Sequence, residues 1–185
     1  MPMVRFPIAD VAEMRLLTES DAPELFKVVD SNRQHLREWL PWLDRNTEEA
    51  HSLEFIRSTI DQYRNGQGFV CGIFDSTGLV GTCGYHPIVA PRSEATIGYW
   101  LSEAALGKGL VTRATEILID YAFNQLKLKK VCIPVAVGNH RSRAVCDRLA
   151  LDNEGIRTDA EYLYGVYVDH VLYYTTPDHW KRDGI

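Results

Sequence analysis

The stretch "LSEAALGKGLVTRATEILIDYAF", residues 101–123, places two glycines and one lysine directly before a helical pattern. Gly107 and Gly109 flank Lys108, and the overlapping segment "ATIGYWLS", residues 95–102, is typical of a strand. The apolar residues after the glycines recur at helical spacing, at Ala114, Leu118, Ala122 and Phe123. The sequence here therefore predicts a strand that leads through a glycine turn into a helix.

A glycine turn of this kind is suited to binding an anion. The first N–H groups of a helix have no partner within the helix, and the helix dipole adds about half a positive charge at that end. Gly107 and Gly109 would let a ligand approach the backbone closely, and Lys108 and Arg113 supply positive charge nearby. The spacing matches neither G-x-x-x-x-G-K-[ST] nor G-x-G-x-x-G, whose third glycine would fall on Thr112. A βα loop with one solvated lysine therefore remains an equally good interpretation of this loop alone.

A second strand also runs into a helix. The segment "KKVCIPVAV", residues 129–137, predicts a strand, in which Pro134 indicates an edge or an irregularity. In the helix that follows, residues 138–150, Asn139 is a natural N-cap and Ser142 lies near the third helical position. Ligands of open α/β sheets bind at the carboxyl ends of strands, so the two helix starts together favour a ligand site.

The remaining segments predict one α/β domain. The order along the chain is a strand, helices, three strands, a helix, a strand, a helix and a final hairpin that turns near residues 164–165. No repeat or linker divides the 185 residues, a length that suits a single domain. We therefore expect a mixed sheet with helices on both faces.

Composition excludes several classes of protein. A net charge of -5 argues against a nucleic-acid partner, and no run approaches the ~18 apolar residues of a membrane span. The N-terminal residues lack the apolar core of a secretory signal. The four cysteines are far apart and the six histidines show no metal-ligand spacing. We expect a cytoplasmic protein with free thiols and no metal.

Several stretches together resemble the GNAT family of acyl-CoA-dependent N-acetyltransferases. Within this family the chain is similar to the ribosomal-protein serine N-acetyltransferases, the RimJ/RimL type, from about residue 14 to residue 176. The stretches that carry the resemblance are "IGYWLSEAALGKGLVT" (97–112), "GNHRSRAVCDRL" (138–149), "EG" (154–155) and "AEYLYGVYVDHVLYY" (160–174).

The resemblance implies a fold and its limits. The expected fold is a single-domain, mixed and mostly antiparallel seven-stranded sheet, with helices on both faces and a splay between strands 4 and 5. The domain would span residues 14–178, with an N-terminal extension at 1–13 and a C-terminal tail at 179–185.

The resemblance also implies acetyl-CoA as co-substrate. Its pantetheine arm would lie in the splay, and its pyrophosphate would bind the backbone amides of the glycine turn. Leu106 and Val111 depart from the family's polar and small residues, but they leave those amides in place. The implied cofactor-binding residues are Trp100, Leu101, Gly107, Lys108, Gly109, Leu110, Val111, Thr112, Asn139 and Ser142.

Two residues match catalytic positions of the RimL group. Glu161 is the implied general base, acting through a water, and the alternative is a solvated glutamate at a hairpin end. Ser142 matches the group's proposed acid. Because a hydroxyl is a weak acid, we expect it to donate a hydrogen bond to the departing sulfur; the alternative is a serine that bonds its own helical turn. The oxyanion would be met by a backbone N–H near Leu101.

In the family that the chain resembles, the early helices line the side of the site that binds the acceptor. Trp39, Trp42 and Tyr162 are the candidate substrate-binding residues, and core packing is the alternative for the two tryptophans. The expected acceptor is the N-terminal α-amine of a protein such as a ribosomal protein, because α-amines have pKa values of about 7.7–8.0 against about 10.4 for lysine.

The expected reaction is direct transfer in a ternary complex, since no cysteine has a visible base partner. Two other functions stay open: acetylation of a small amine (a polyamine, an amino acid or a drug), and a non-catalytic acyl-CoA-binding module. A homodimer is compatible with the resemblance.

Overall fold

The computed structural model describes residues 4–10, 12–88 and 93–180. The strands of this part of the chain are β1 (Arg5–Ala9), β2 (Ala12–Leu16), β3 (Val70–Asp75), β4 (Gly78–Tyr85), β5 (Glu94–Leu101), β6 (Lys130–Ala136), β7 (Asp152–Leu163) and β8 (Val166–Thr175). Its α-helices are α1 (Ala22–Ser31), α2 (Arg33–Arg37), α3 (Glu49–Arg64), α4 (Leu110–Asn124) and α5 (His140–Arg148). None of the helices in these residues is long and apolar enough to cross a membrane.

The strands form one mixed sheet in the order β1-β2-β3-β4-β5-β6-β8-β7. Every neighbouring pair is antiparallel except β5 and β6, which are parallel. The predicted fold class is confirmed, with eight described strands where seven were expected. The predicted turn of the last hairpin is also confirmed, since Tyr164 and Gly165 adopt positive φ values of 47° and 104° between β7 and β8.

The additional strand, β1, lies in the segment that the sequence analysis treated as an extension. A proline such as Pro7 would disrupt a central strand, but β1 is an edge strand, where proline is tolerated. Ile8 is buried, and the ring of Phe6 lies 6.2 Å from that of Phe69. At the other end of the chain, Trp180 is buried and donates a hydrogen bond to Asp120 of α4. The described residues of both flanks therefore include side chains that pack on the domain; residues 1–3, 11 and 181–185 lie outside the described part.

Helices cover both faces of the sheet. On one face α4 buries Ala114, Leu118 and Ile119 against the strands, and α5 packs on the same side. On the other face α1 and α3 bury a second cluster, in which Val29 and Ile56 are almost fully enclosed. The sheet is thus the middle layer of three, and any ligand that reaches its centre must enter through an opening between strands.

Such an opening separates the carboxyl ends of β5 and β6. The two strands pair only from Glu94 with Lys130 to Thr96 with Cys132, and beyond these residues neither has a partner on that side. We call this opening the β5–β6 gap. It is the splay predicted between strands 4 and 5, because the seven expected strands did not include β1. The ladder lacks a donor at this point: in its continuation the next donor from β6 would be the N–H of residue 134, and Pro134 has none.

The gap is lined by backbone groups of β5. The carbonyl of Thr96 accepts a hydrogen bond from His86, next to β4, and the N–H of Ser102 donates to Val80 of β4. Backbone groups alternate in direction along a strand, so the intervening odd-numbered residues direct theirs toward β6. Those residues are Ile97, Tyr99 and Leu101.

We predict that β1 contributes to the stability of the domain. Ile8→Ala removes a side chain that is 7% exposed, and we expect a loss of about 2–4 kcal/mol in the free energy of unfolding, measured with urea. The matched control is Arg5→Ala on the same strand, whose exposed ion pair with Glu13 is screened by solvent and should contribute little to stability. Equal, small effects of both substitutions would mean that β1 is dispensable.

Candidate functional site

The glycine turn opens toward solvent at the start of α4. Gly107 and Gly109 have left-handed backbones, with φ of 77° and 73°, and no atom lies within 4 Å of the position that a Cβ would occupy on either residue. Gly109 is the N-cap of α4, so the N–H groups of the first helical turn have no partner within the helix. The turn therefore combines free donors with room for an anion beside them.

The two departures from the family pattern have a structural role. The side chain of Val111 is buried in the core, and Leu106 packs against the same cluster. Leu110 is buried as well. These apolar side chains fix the turn to the sheet, while the first-turn N–H groups remain at the helix start.

The charged groups around this turn are already paired. Lys108 Nζ lies 3.1 Å from Asp75 Oδ2 at the end of β3. Hydrogen bonds from Thr77, and next the Lys108 ammonium, lower the pKa of the Asp75 carboxyl. From α5, Arg148 donates to Thr112 Oγ1 in the first turn of α4. Lys108, predicted to meet a phosphate, is thus tied to β3, and Arg148, which sequence reasoning missed, brings a second cation.

The start of α5 has the predicted cap. Asn139 Oδ1 accepts a hydrogen bond from the backbone N–H of Ser142 at 3.0 Å. The aromatic edge of Trp39 lies 3.3 Å from where a Cβ on Gly138 would stand, so this candidate substrate residue borders the same turn. A small residue is required at position 138 for that approach.

Tyr99 joins β5 to the start of α5. Its hydroxyl lies 3.0 Å from Ser142 Oγ and donates to the Ser142 carbonyl at 3.3 Å. Burial raises the pKa of Tyr99 well above its usual value, so the hydroxyl keeps its proton. Sequence reasoning did not find this residue, because it lies 43 positions from Ser142.

The predicted base lies on the opposite face of the sheet. Glu161, on β7, is opposite Val168 of β8, and its Oε2 atom lies 3.4 Å from Nε2 of His170. Tyr162, the next residue, is 55% exposed, and its ring lies 5.1 Å from that of Tyr167 at a tilted angle. The structure therefore brings Glu161 together with His170, and leaves Tyr162 on the outer surface of the hairpin.

The hairpin tip is anchored to the segment after α2. The Tyr164 hydroxyl donates to the Leu40 carbonyl and accepts from the Leu43 N–H. Arg37 stacks over the Tyr164 ring at 3.7 Å. This contact holds the face of β7–β8 that carries Glu161 close to the segment that contains Trp39.

The remaining candidates, Trp42, Trp100 and Leu101, lie in different surroundings. Trp42 packs on Trp100, with ring centroids 6.3 Å apart, and both belong to the apolar cluster under α1 and α3. The backbone of Trp100 faces β4, as its even-numbered neighbours do, whereas that of Leu101 faces the gap. Of the residues predicted to line the gap, Leu101 fits by its backbone and Trp100 does not.

The cysteines offer no activated nucleophile. Burial raises the pKa of Cys83 and of Cys146 to about 12, and it also raises the pKa of Cys71. Cys132 shifts in the same direction for the same reason. Because a thiolate is the reactive form, these residues do not favour a covalent acyl-cysteine step.

Sequence comparison identifies the family. The model of the "Acetyltransferase (GNAT) domain" matches residues 12–151. YdaF of Bacillus subtilis, provisionally named a ribosomal N-acetyltransferase, is 35% identical over 92% of this chain and 93% of its own length. The ribosomal-protein-serine acetyltransferase of Escherichia coli is 25% identical, over 90% of this chain and 93% of its own.

Solved structures agree with this. RimL, a ribosomal α-N-protein acetyltransferase in complex with coenzyme A, superposes with a TM-score of 0.89 at 27% identity, over 95% of this chain and 99% of its own. The microcin self-immunity acetyltransferase MccE, in complex with acetyl-CoA and AMP, gives a TM-score of 0.85 at 25% identity, over 91% and 94%. In fold and in sequence, this chain belongs to the GNAT family of N-acetyltransferases.

Proposed function

We propose that this enzyme transfers the acetyl group of acetyl-CoA directly to the N-terminal α-amine of a protein, such as a ribosomal protein. The observation that carries the proposal is the β5–β6 gap: β5 leads from it into the glycine turn, and β6 is followed in the sheet by the β8–β7 hairpin that carries Glu161. The names of YdaF, RimL and the Escherichia coli relative support a ribosomal acceptor. With such an acceptor, the reaction would take place in the cytoplasm.

The residues around the gap fit acetyl-CoA. The amides after Gly107 and Gly109 would hold the pyrophosphate, since these glycines leave the adjoining space empty. The free backbone edge of Tyr99 and Leu101 would pair with the amides of the pantetheine arm as a missing strand would. Bound there, acetyl-CoA supplies an acetyl group already activated as a thioester.

Different groups of the chain then act at different steps of the acetyl transfer. A carboxylate oxygen of Glu161 takes the proton of the acceptor amine, directly or through a water, as the C–N bond forms. The backbone N–H of Leu101 holds the carbonyl oxygen as negative charge develops on it. Ser142 Oγ donates its hydrogen bond to the sulfur as the C–S bond breaks, and the Tyr99 hydroxyl, 3.0 Å away, then donates to Ser142 Oγ instead of the Ser142 carbonyl.

The acceptor side suits the end of a polypeptide. Trp39 and the Tyr164 anchor wall the side of the gap that Glu161 faces, and Tyr162 with Tyr167 provides an exposed aromatic surface on the hairpin. The unfolded N-terminus of an acceptor protein could lie between these groups. An α-amine, with a reference pKa of about 7.7–8.0, needs less help to lose its proton than a lysine does.

The proposed acceptor is tested by direct assay. We expect turnover when the purified enzyme and acetyl-CoA are mixed with peptides that begin with serine, alanine or methionine, followed by thiol release and product mass. The mass increase must lie on the α-amine. Turnover only on polyamines, free amino acids or an aminoacyl nucleotide would assign the enzyme to small amines instead. The aminoacyl nucleotide is included because AMP is bound in the structure of MccE.

The glycine turn is tested by Gly109→Ala. We expect the Kd for acetyl-CoA to rise at least ~10-fold, because the new Cβ projects into the proposed pyrophosphate site, with left-handed strain of ~1–2 kcal/mol. Gly66→Ala is the matched control: φ is 68°, the surroundings are equally open, and the position lies at the end of α3. Equal acetyl-CoA affinity in both variants would contradict the proposed site.

The base is tested by Glu161→Gln. We expect kcat to fall by ~10²–10⁴-fold while the KM for acetyl-CoA stays the same, because only proton removal is lost. Glu154→Gln, on the same strand but paired with Lys130, should leave kcat unchanged. Unchanged turnover in Glu161→Gln would remove Glu161 from the mechanism, and an acyl-CoA-binding module predicts no turnover in any variant.

A further inference from the structure

His170 is a partly buried histidine beside Glu161, and its Nε2 atom is shielded from solvent. Its side chain is 14% exposed, against 30% for that of Glu161, and the two groups approach to 3.4 Å. Within residues 4–10, 12–88 and 93–180, His170 Nε2 is the buried side-chain nitrogen or oxygen that lacks a hydrogen-bond partner. Leaving a buried polar group unpaired is costly, so a partner is expected within reach.

An irregularity of β7 creates this juxtaposition. Arg157 is opposite His170, and in a regular continuation Glu161 would be opposite Val166. The register shifts between Arg157 and Glu161, and Asp159 adopts a φ of 48° within the bulge. Glu161 is therefore opposite Val168 instead, on the same face as His170 and two residues from it. The bulge moves the carboxylate toward the imidazole.

The bulge is held by specific contacts. The N–H of Asp159 donates to Asp169 Oδ1 at 2.9 Å, and the N–H of Val137 donates to the Asp169 carbonyl. His170 itself is opposite Ala136, the last residue of β6. The imidazole is thus fixed at the carboxyl end of β6, where the β5–β6 gap is open.

The chemistry of the contact selects one tautomer. If Nδ1 carried the proton, the lone pair of Nε2 would face the negative carboxylate of Glu161, which is unfavourable. With the proton on Nε2, the imidazole donates to Glu161, and closing the separation from 3.4 Å to ~2.9 Å needs only a small rotation of a partly exposed side chain. Contacts of catalytic groups are often long before the substrate binds.

We propose that His170 is a positioning residue for the base: its Nε2–H holds one carboxylate oxygen of Glu161 and leaves the other directed at the acceptor amine. The inference rests on the proposed role of Glu161. The amine proton passes to the free carboxylate oxygen, and His170 neither gains nor loses a proton in the step. The carboxylate then occupies one orientation instead of several.

The kinetic test compares two substitutions at this position. His170→Leu removes the donor, and we expect kcat to fall by ~10–100-fold with the KM for acetyl-CoA unchanged. His170→Gln keeps an N–H at similar reach and should retain most of the activity. The control is His179→Leu, which breaks the exposed contact of His179 with Asp152 at the far end of the hairpin and should leave kcat unchanged.

A double-mutant cycle separates positioning from general damage. In the Glu161→Gln background, His170→Leu should cause little further loss, because the carboxylate that it positions is absent. A loss of the same size in both backgrounds would overturn the inference and indicate a structural role. If Glu161→Gln alone leaves kcat unchanged, the proposed base itself has failed; if Glu161→Gln is impaired but His170→Leu is fully active, only this inference has failed.

A measurement on the unaltered fold guards against an unstable variant. Nitrogen-15 NMR of the histidine-labelled wild-type enzyme, with the His170 signal assigned by its absence in His170→Gln, should show a proton on Nε2. The Nδ1–H tautomer would overturn the inference, because Nε2 could then not donate to Glu161.

Discussion

One absent hydrogen-bond donor shapes the functional part of this molecule. Pro134 cannot supply the N–H that the parallel ladder needs after Thr96 and Cys132, and β5 and β6 separate from there to their carboxyl ends. On its other edge β6 stays fully paired with β8, since Pro134 is opposite Leu172 without a break in the register. The sheet is therefore opened at its centre without losing continuity, and a proline that would weaken an ordinary central strand becomes the start of a binding site.

The opening becomes a site because each face of the sheet contributes a different group. From the face covered by α4 and α5, Asn139 caps α5 and Tyr99 contacts Ser142 across the end of β5. From the opposite face, the β7–β8 hairpin carries Glu161, and Tyr164 anchors that hairpin to the segment after α2. A base and a hydrogen-bond donor on opposite sides of a thioester can serve the two ends of one transfer without competing for space.

Much of this arrangement was accessible from local patterns. The glycine turn, the Asn139 cap, the hairpin turn and the order of elements each depend on residues within a few positions of one another. What was missed depends on partners far away in the chain. β1 is a strand because Ile8 and Phe6 bury against the sheet, and Lys108 is held by an aspartate 33 residues earlier. The two candidate acceptor tryptophans also lie in different places: Trp42 packs with Trp100 in the apolar cluster, whereas Trp39 lies against Gly138 before α5.

The sequence by itself determined the family, the layered α/β fold, the left-handed turn before α4 and the missing donor in β6, because these follow from motifs, periodicity and the backbone limits of single residues. Only the tertiary structure decided which groups meet. The approach of Trp39 to Gly138, of Tyr99 to Ser142 and of His170 to Glu161 depends on strand register, on a bulge in β7 and on helix packing. These distances are set by the summed packing of many distant side chains, which no local pattern in the sequence encodes.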